Sequence, residues 1–250
     1  MKKITLILIA IISLSLTGCL EVTEEITLNE DGSGNYVNIS DMSKVIPIVK
    51  NMGVSNQMGD NKLDTLITLG NDGTEGLSAE DVAMLKSGTL KIKKDVDEEQ
   101  FVGTLNIPFK SLDEIPKINR LTSKSLISSL MKMMAASPNA PQLPPGMGNM
   151  ESSSIGDYYQ LDYSNGELKR KINKEKYAAL ASDKVLEQLQ QLAGMGVPVT
   201  YKTIFKLPKP AEKVEGKNAK LSDDKKTVTV SGTIDELYDH PENMEFKVKY

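Results

Sequence analysis

The sequence predicts an α+β fold, in which antiparallel β-sheets are built from hairpins and several short helices pack on one face. Segments of alternating apolar and polar residues occur in pairs joined by short turns rich in Gly and Asn, a pattern typical of β-hairpins. Helical segments separate these pairs, in place of the regular strand–helix alternation of a parallel sheet. A chain of 250 residues buries a substantial core, as one large domain or two small ones.

The first hairpin is predicted directly after the N-terminal segment. Apolar and polar residues alternate from Leu20 to Leu28, and residues 36–39 supply a return strand. Between them, residues 29–34 are rich in Asn, Asp and Gly, which favour turns. Glu24 interrupts the apolar face of the first strand and makes its register ambiguous.

The middle of the chain predicts short helices and strands in turn. Ser78 and Asp81 resemble a capping box at the start of a helix that ends before Gly88. Ser111 caps another helix through Leu121. Further predicted elements are a helix at 41–52, strands at 63–69, 90–92 and 101–109, and a helical stretch at 123–136.

Residues 137–154 predict an irregular loop or linker, because they contain four prolines and two glycines. This segment separates an N-terminal α+β part, residues 19–136, from a C-terminal α+β part, residues 155–250. The two parts belong either to one domain or to two. The apolar side chains of the loop are candidates for contact with the membrane or a partner, namely Leu143, Met147 and Met150.

The C-terminal part predicts a hairpin, helices and a strand-rich end. Asn165-Gly166 lies between two alternating segments and is typical of a tight hairpin turn. Leucine-rich helices follow at 177–192 and end at Gly194, and Asp183 is expected to cap one of them. The last predicted strands are at 199–207, 228–230 and 244–250.

The first residues have the features of an export signal: two lysines, an apolar run and small residues. The run from Ile4 to Ile12 is shorter than the about 20 residues that a transmembrane helix needs. Leu16-Thr17-Gly18-Cys19 resembles the lipobox of bacterial lipoproteins. The resemblance implies that residues 1–18 are a cleaved signal peptide. It also implies that Cys19 carries a diacylglycerol anchor, often with a further acyl chain such as palmitate. The alternative is an ordinary cleaved signal followed by a free cysteine.

The location within the envelope follows from the residue after the cysteine. In diderm sorting, Asp at that position retains a lipoprotein in the inner membrane, whereas this chain has Leu20. We therefore expect the periplasmic side of the outer membrane in a diderm cell, and otherwise the outer face of the cytoplasmic membrane. Because no polar tether follows Cys19, the folded part should lie close to the bilayer.

The mature chain also resembles the LppM-type lipoprotein domain in its pattern of elements. The shared features are an alternating strand with an early Asp31-Gly32 turn directly after Cys19, and a closing set of short strands. The resemblance implies association with the cell envelope and supplies no catalytic residues or cofactor.

Composition excludes several kinds of chemistry. Cys19 is the only cysteine and His240 the only histidine. Lipidation of the first leaves no disulfide or thiol catalyst, and a single histidine excludes His-based triads and multi-His zinc sites. His240 lies in a turn-like stretch, where we expect it to be exposed. The formal net charge of −4 and the lack of a basic block make nucleic acid a poor partner.

We predict no cofactor and no metal, although two patterns leave alternatives open. The Asp- and Gly-containing turns at 29–34 and 70–76 suggest calcium, but neither has the twelve-residue ligand pattern. The methionines around residues 131–150 suggest Cu(I), although methionine is more often a packing residue.

The predicted function is non-enzymatic binding or scaffolding at the membrane surface, with an envelope protein or a small apolar ligand as the unknown partner. The alternative is a carboxylate-based hydrolase that acts on envelope glycans or peptides. Such an enzyme needs two carboxylates about 5–10 Å apart in one deep cleft. A shallow apolar groove near Cys19 would instead favour binding.

Overall fold

The chain is described by a computed structural model that covers residues 20–51, 60–71, 74, 76–122, 155–164, 166–194 and 198–250. Within these ranges, twelve strands form two sheets, accompanied by short helices. All neighbouring strands but one pair are antiparallel. The predicted α+β class is therefore confirmed.

The strands are numbered in chain order. Those of the N-terminal part are β1 (Leu20–Leu28), β2 (Gly34–Asp41), β3 (Lys62–Thr68), β4 (Thr89–Asp95) and β5 (Gln100–Phe109). Those of the C-terminal part are β6 (Tyr159–Ser164), β7 (Glu167–Ile172), β8 (Val199–Lys206), β9 (Lys213–Glu215), β10 (Ala219–Leu221), β11 (Thr227–Thr233) and β12 (Phe246–Lys249).

The helices are short and lie between the strands. They are α1 (Val45–Asn51), α2 (Ala79–Lys86), α3 (residues 115–122), α4 (Lys174–Ala178), α5 (Lys184–Gly194) and α6 (Ile234–Asp239). Single 3₁₀ turns occur at Leu112–Glu114, Ile155–Tyr158, Leu180–Ser182 and Pro241–Met244. In the ranges given above, no helix is both long and apolar enough to span a membrane.

The larger sheet contains strands of both the N-terminal and the C-terminal part. Its order is β10-β11-β8-β1-β2-β5-β4-β3, and the smaller sheet has the order β6-β7-β12-β9. At the centre of the larger sheet, β1 pairs in parallel with β8, so that Leu20 lies opposite Val199. Sequence patterns did not predict this pair. They identify strand partners that are joined by a short turn, and β1 and β8 are far apart in the sequence. Strands from before and after residues 123–154 therefore share one sheet.

The inner faces of the two sheets pack against each other. Phe205 on β8 and Phe246 on β12 are both buried, and their ring centroids are 5.0 Å apart. Alternation along β8 places Val199, Tyr201 and Thr203 on the same inner face as Phe205. The hydrophobic core thus lies between the sheets, where the alternating residues of both meet.

Helix starts follow their capping residues. Ser78 accepts a hydrogen bond from the backbone N–H of Asp81, as predicted. Asp183 likewise accepts from the backbone N–H of Leu186, at 3.1 Å. Helix α6 was not predicted, although Thr233 and Glu236 form a complete capping box at its start. The Thr-x-x-Glu spacing was the local signal for this helix.

Candidate functional site

A cavity of about 220 Å³ lies between the two sheets. Its apolar wall includes Ile26 and Phe205 from the larger sheet and Leu161 from β6. The 3₁₀ turn Leu112–Glu114 and the first turn of α3 border it on one side. Sites for drug-sized ligands usually enclose roughly 300–1,000 Å³, so this space suits a small molecule or one end of a larger one.

Glu24 is a buried carboxylate in the wall of this cavity, with only 3% of its surface exposed. It points inwards because it shares the face of β1 that carries Ile26 and Leu28. Pairing places it opposite Thr203 on β8 and Asn38 on β2. The residue that interrupted the apolar pattern is therefore part of the core face.

Two buried tyrosines hold the carboxylate from the neighbouring strands. The hydroxyl of Tyr36 on β2 donates a hydrogen bond to Oε1 of Glu24 at 2.9 Å. The hydroxyl of Tyr201 on β8 donates to Oε2. Burial and the nearby Glu24 carboxylate raise the pKa of both tyrosines well above its ordinary value. Both hydroxyls therefore remain protonated donors at neutral pH.

The turn before β6 closes over this cluster at Gly156. A Cβ atom built at this position would lie 2.8 Å from Oε2 of Glu24 and 3.1 Å from the hydroxyl oxygen of Tyr201. Only glycine admits such a close approach without displacing the carboxylate. The turn is fastened by Tyr158, whose hydroxyl donates to Oδ2 of Asp183 at 2.5 Å.

Arg170 on β7 is the second buried charge of the cavity, with 2% of its surface exposed. Its Nη1 donates to Oγ1 of Thr203 at 2.9 Å, across the space between the sheets. The guanidinium carbon lies 4.1 Å from the ring centroid of Tyr159 and 5.6 Å from that of Tyr201. Both rings are within cation–π distance. Nη2 is also buried and makes no hydrogen bond within the described residues.

The mouth of the cavity is polar and mainly acidic. Asp113 and Asp162 are exposed there, and Asp157 accepts a hydrogen bond from Asn119 at 3.4 Å. Lys176 is the exposed basic residue of the lining. Carboxylates therefore outnumber cations along the lining, even with Arg170 included.

The lipidation candidate Cys19 falls outside the described residues, as do the loop candidates Leu143, Met147 and Met150. Those assignments stay predictions. The sequence flagged Glu24 only as an irregularity, and it did not point to Arg170 at all.

The methionines proposed for Cu(I) fall outside the described residues, as do Asp72, Gly73 and Glu75 of the second candidate calcium turn. Among the described residues, no group of three or more His, Cys, Asp or Glu side chains is placed to hold an ion. In the first turn, Asp31 accepts hydrogen bonds from the backbone N–H and the hydroxyl of Ser33, as expected of an Asx turn. His240 follows α6 and is 65% exposed.

Comparison with known proteins gives one structural likeness. No family model matches the chain, and no curated protein matches it. Among solved structures, the chain is similar to the folded domain of the LppM protein from Mycobacterium tuberculosis, determined by NMR. The two share 12% sequence identity at a TM-score of 0.40, over 93% of this chain and 91% of the other. At this TM-score the likeness assigns no role to any residue.

Proposed function

We propose that this protein is a lipid-anchored envelope lipoprotein whose folded part binds a small molecule in the cavity between its sheets, without catalysing a reaction. The observation that carries the binding role is the cavity itself, which combines an apolar wall with two buried charged side chains, Glu24 and Arg170. A mostly apolar recess with a few fixed polar groups is the usual form of a small-molecule site.

The arrangement of the buried groups favours binding over acid–base chemistry. Both oxygens of Glu24 already accept hydrogen bonds from tyrosine hydroxyls. The raised pKa values of Tyr36 and Tyr201 keep these hydroxyls from acting as bases at neutral pH. The two tyrosine hydroxyls are therefore fixed donors, and the Glu24 carboxylate is held in one position by them. Such fixed groups suit the recognition of a ligand.

A carboxylate-based hydrolase is the second candidate, because more than one carboxylate lines the same cavity. Glu24 lies at its base, and Asp113, Asp157 and Asp162 lie nearer the mouth. A glycosidase requires one carboxylate to stay protonated and donate to the leaving oxygen. Glu24 is poorly placed for that role, since two hydroxyls already donate to it.

Filling the cavity tests the binding role. We expect Leu161→Trp, whose side chain occupies the wall of the cavity, to abolish the co-purification of small molecules with the protein isolated from native membranes. Mass spectrometry of extracts from the wild type and the variant measures this. Leu66→Trp is the matched control, because Leu66 lies on β3 and is 68% exposed. The same set of bound molecules in the wild type and Leu161→Trp would contradict the proposed function.

The anchor is tested at the lipobox cysteine. Cys19→Ser should abolish metabolic labelling by a fatty-acid analogue, because only a thiol at this position takes the diacylglyceryl group and the chain has no other cysteine. The body should still fold, as seen from an unchanged thermal unfolding midpoint. Labelling that persists in the variant would exclude the lipoprotein assignment. Since β1 begins at Leu20, a lipid on Cys19 would place the first residues of β1 close to the bilayer.

A further inference from the structure

The mouth of the cavity presents exposed carboxylates whose charge stays available to a ligand. Asp113 and Asp162 line it from two separate segments, the 3₁₀ turn Leu112–Glu114 and β6, which contact each other. Both side chains are exposed. The hydrogen bonds that they accept come from neutral groups, the Gln160 amide at 2.7 Å and the Ser111 hydroxyl at 3.4 Å. Neutral donors leave the negative charge of a carboxylate in place.

The interior of the cavity, in contrast, offers a ligand mainly apolar contact. Glu24 and Arg170 carry opposite charges, so together they add no net charge to the interior, and both are almost fully buried. The oxygens of Glu24 already accept from tyrosine hydroxyls. The apolar wall consists of Ile26, Leu161 and Phe205. A ligand that enters this space should therefore have an apolar inner end and carry its polar group at the mouth.

We infer that the cavity binds a small organic cation, a primary ammonium group on a short apolar chain, with the ammonium at the mouth beside Asp113 and Asp162. This inference rests on the proposed binding function and names the ligand class for the same cavity. An ammonium group has three N–H donors and no acceptor, which matches a mouth that presents carboxylate oxygens. The space of about 220 Å³ suits a chain of a few carbons and is too small for a full-length acyl chain.

The charge of the lining separates this ligand from its neutral and anionic analogues. Four carboxylates and two cations line the cavity, namely Glu24, Asp113, Asp157 and Asp162 with Arg170 and Lys176. A cleft lined mainly by one sign of charge attracts ligands of the opposite sign and repels those of the same sign. A neutral alcohol gains only the burial of its chain, whereas the ammonium gains that burial and the attraction. Because salt screens exposed charges, the preference for the ammonium should shrink as the ionic strength rises.

The test compares three probes on the full lipidated chain in phosphatidylcholine nanodiscs, by isothermal titration calorimetry with empty nanodiscs as the blank. The probes are isopentylamine, its neutral isostere isopentanol, and the anion isovalerate. At low salt we expect the amine to bind about fivefold more tightly than the alcohol, equivalent to about 1 kcal/mol, and isovalerate to bind most weakly. Equal binding of the amine and the alcohol would overturn the inference while leaving the proposed function standing. Failure of all three probes to bind would also overturn it, and the Leu161→Trp extraction would then decide the proposed function separately.

Variants locate the ammonium group. Replacing both Asp113 and Asp162 by Asn removes the exposed charges but keeps the side-chain shapes, so the affinities for amine and alcohol should come within about twofold of each other. The affinity for the alcohol should not change, which shows that the cavity is intact. Asp223→Asn is the matched control, because Asp223 is exposed in the turn between β10 and β11 and does not line the cavity. It should keep the full preference for the amine. If the double variant keeps that preference, or if Asp223→Asn loses it equally, the ammonium is not held at the mouth and the inference is wrong.

Discussion

Replacing Arg170 by methionine is expected to lower the free energy of unfolding by about 3–5 kcal/mol, because it leaves the buried Glu24 without the opposite charge that shares its cavity. Arg170 and Glu24 are both almost fully buried, and they flank the ring and hydroxyl of Tyr201. Their opposite charges act in opposite directions on the pKa of that tyrosine. Without the guanidinium, the cavity would enclose an uncompensated carboxylate.

A second substitution distinguishes loss of charge balance from loss of packing. Glu24→Gln in the Arg170→Met background removes the remaining charge, so the double variant should be less destabilised than the sum of the two single variants. The expected coupling free energy is about 0.5–3 kcal/mol, measured by urea unfolding monitored through tyrosine fluorescence. Lys176→Met, at the exposed mouth, should change stability by less than about 0.5 kcal/mol. Strict additivity of the two buried substitutions would show that the charges do not interact.

The sequence predicted the local elements of the fold because their signals are short in range. The first hairpin, the helix capped by Ser78 and the hairpin that turns at Gly166 each depend on neighbouring residues. The parallel contact of β1 with β8 depends instead on residues about 180 positions apart, where no turn chemistry marks the partner. The entropic cost of closing so long a loop is offset by the packing of the whole core, which no local pattern reveals.

The site could be predicted only in part, for a similar reason. Glu24 could be recognised in the sequence as a polar residue on an otherwise apolar strand face. Arg170 occupies the same kind of position, since Leu168 and Ile172 lie on its face of β7. Its neighbours Lys169 and Lys171 hide that signal, because a run of basic residues resembles a solvated strand face. Only the packing of the two sheets brings Thr203 within hydrogen-bond distance of the Arg170 guanidinium.

Phe205→Ala should also lower the free energy of unfolding by about 3–5 kcal/mol, the range for truncating a buried phenylalanine. Phe205 is 1% exposed, contacts Phe246 across the two sheets and borders the cavity. Because Phe205 is almost fully buried and packs on Phe246, its truncation removes contacts between the two sheets and leaves a cavity there. Urea unfolding measures the cost. Phe101→Ala is the control, since Phe101 is only half-buried at the start of β5, and it should cost clearly less. Equal costs for the two variants would mean that the contact between Phe205 and Phe246 does not hold the sheets together.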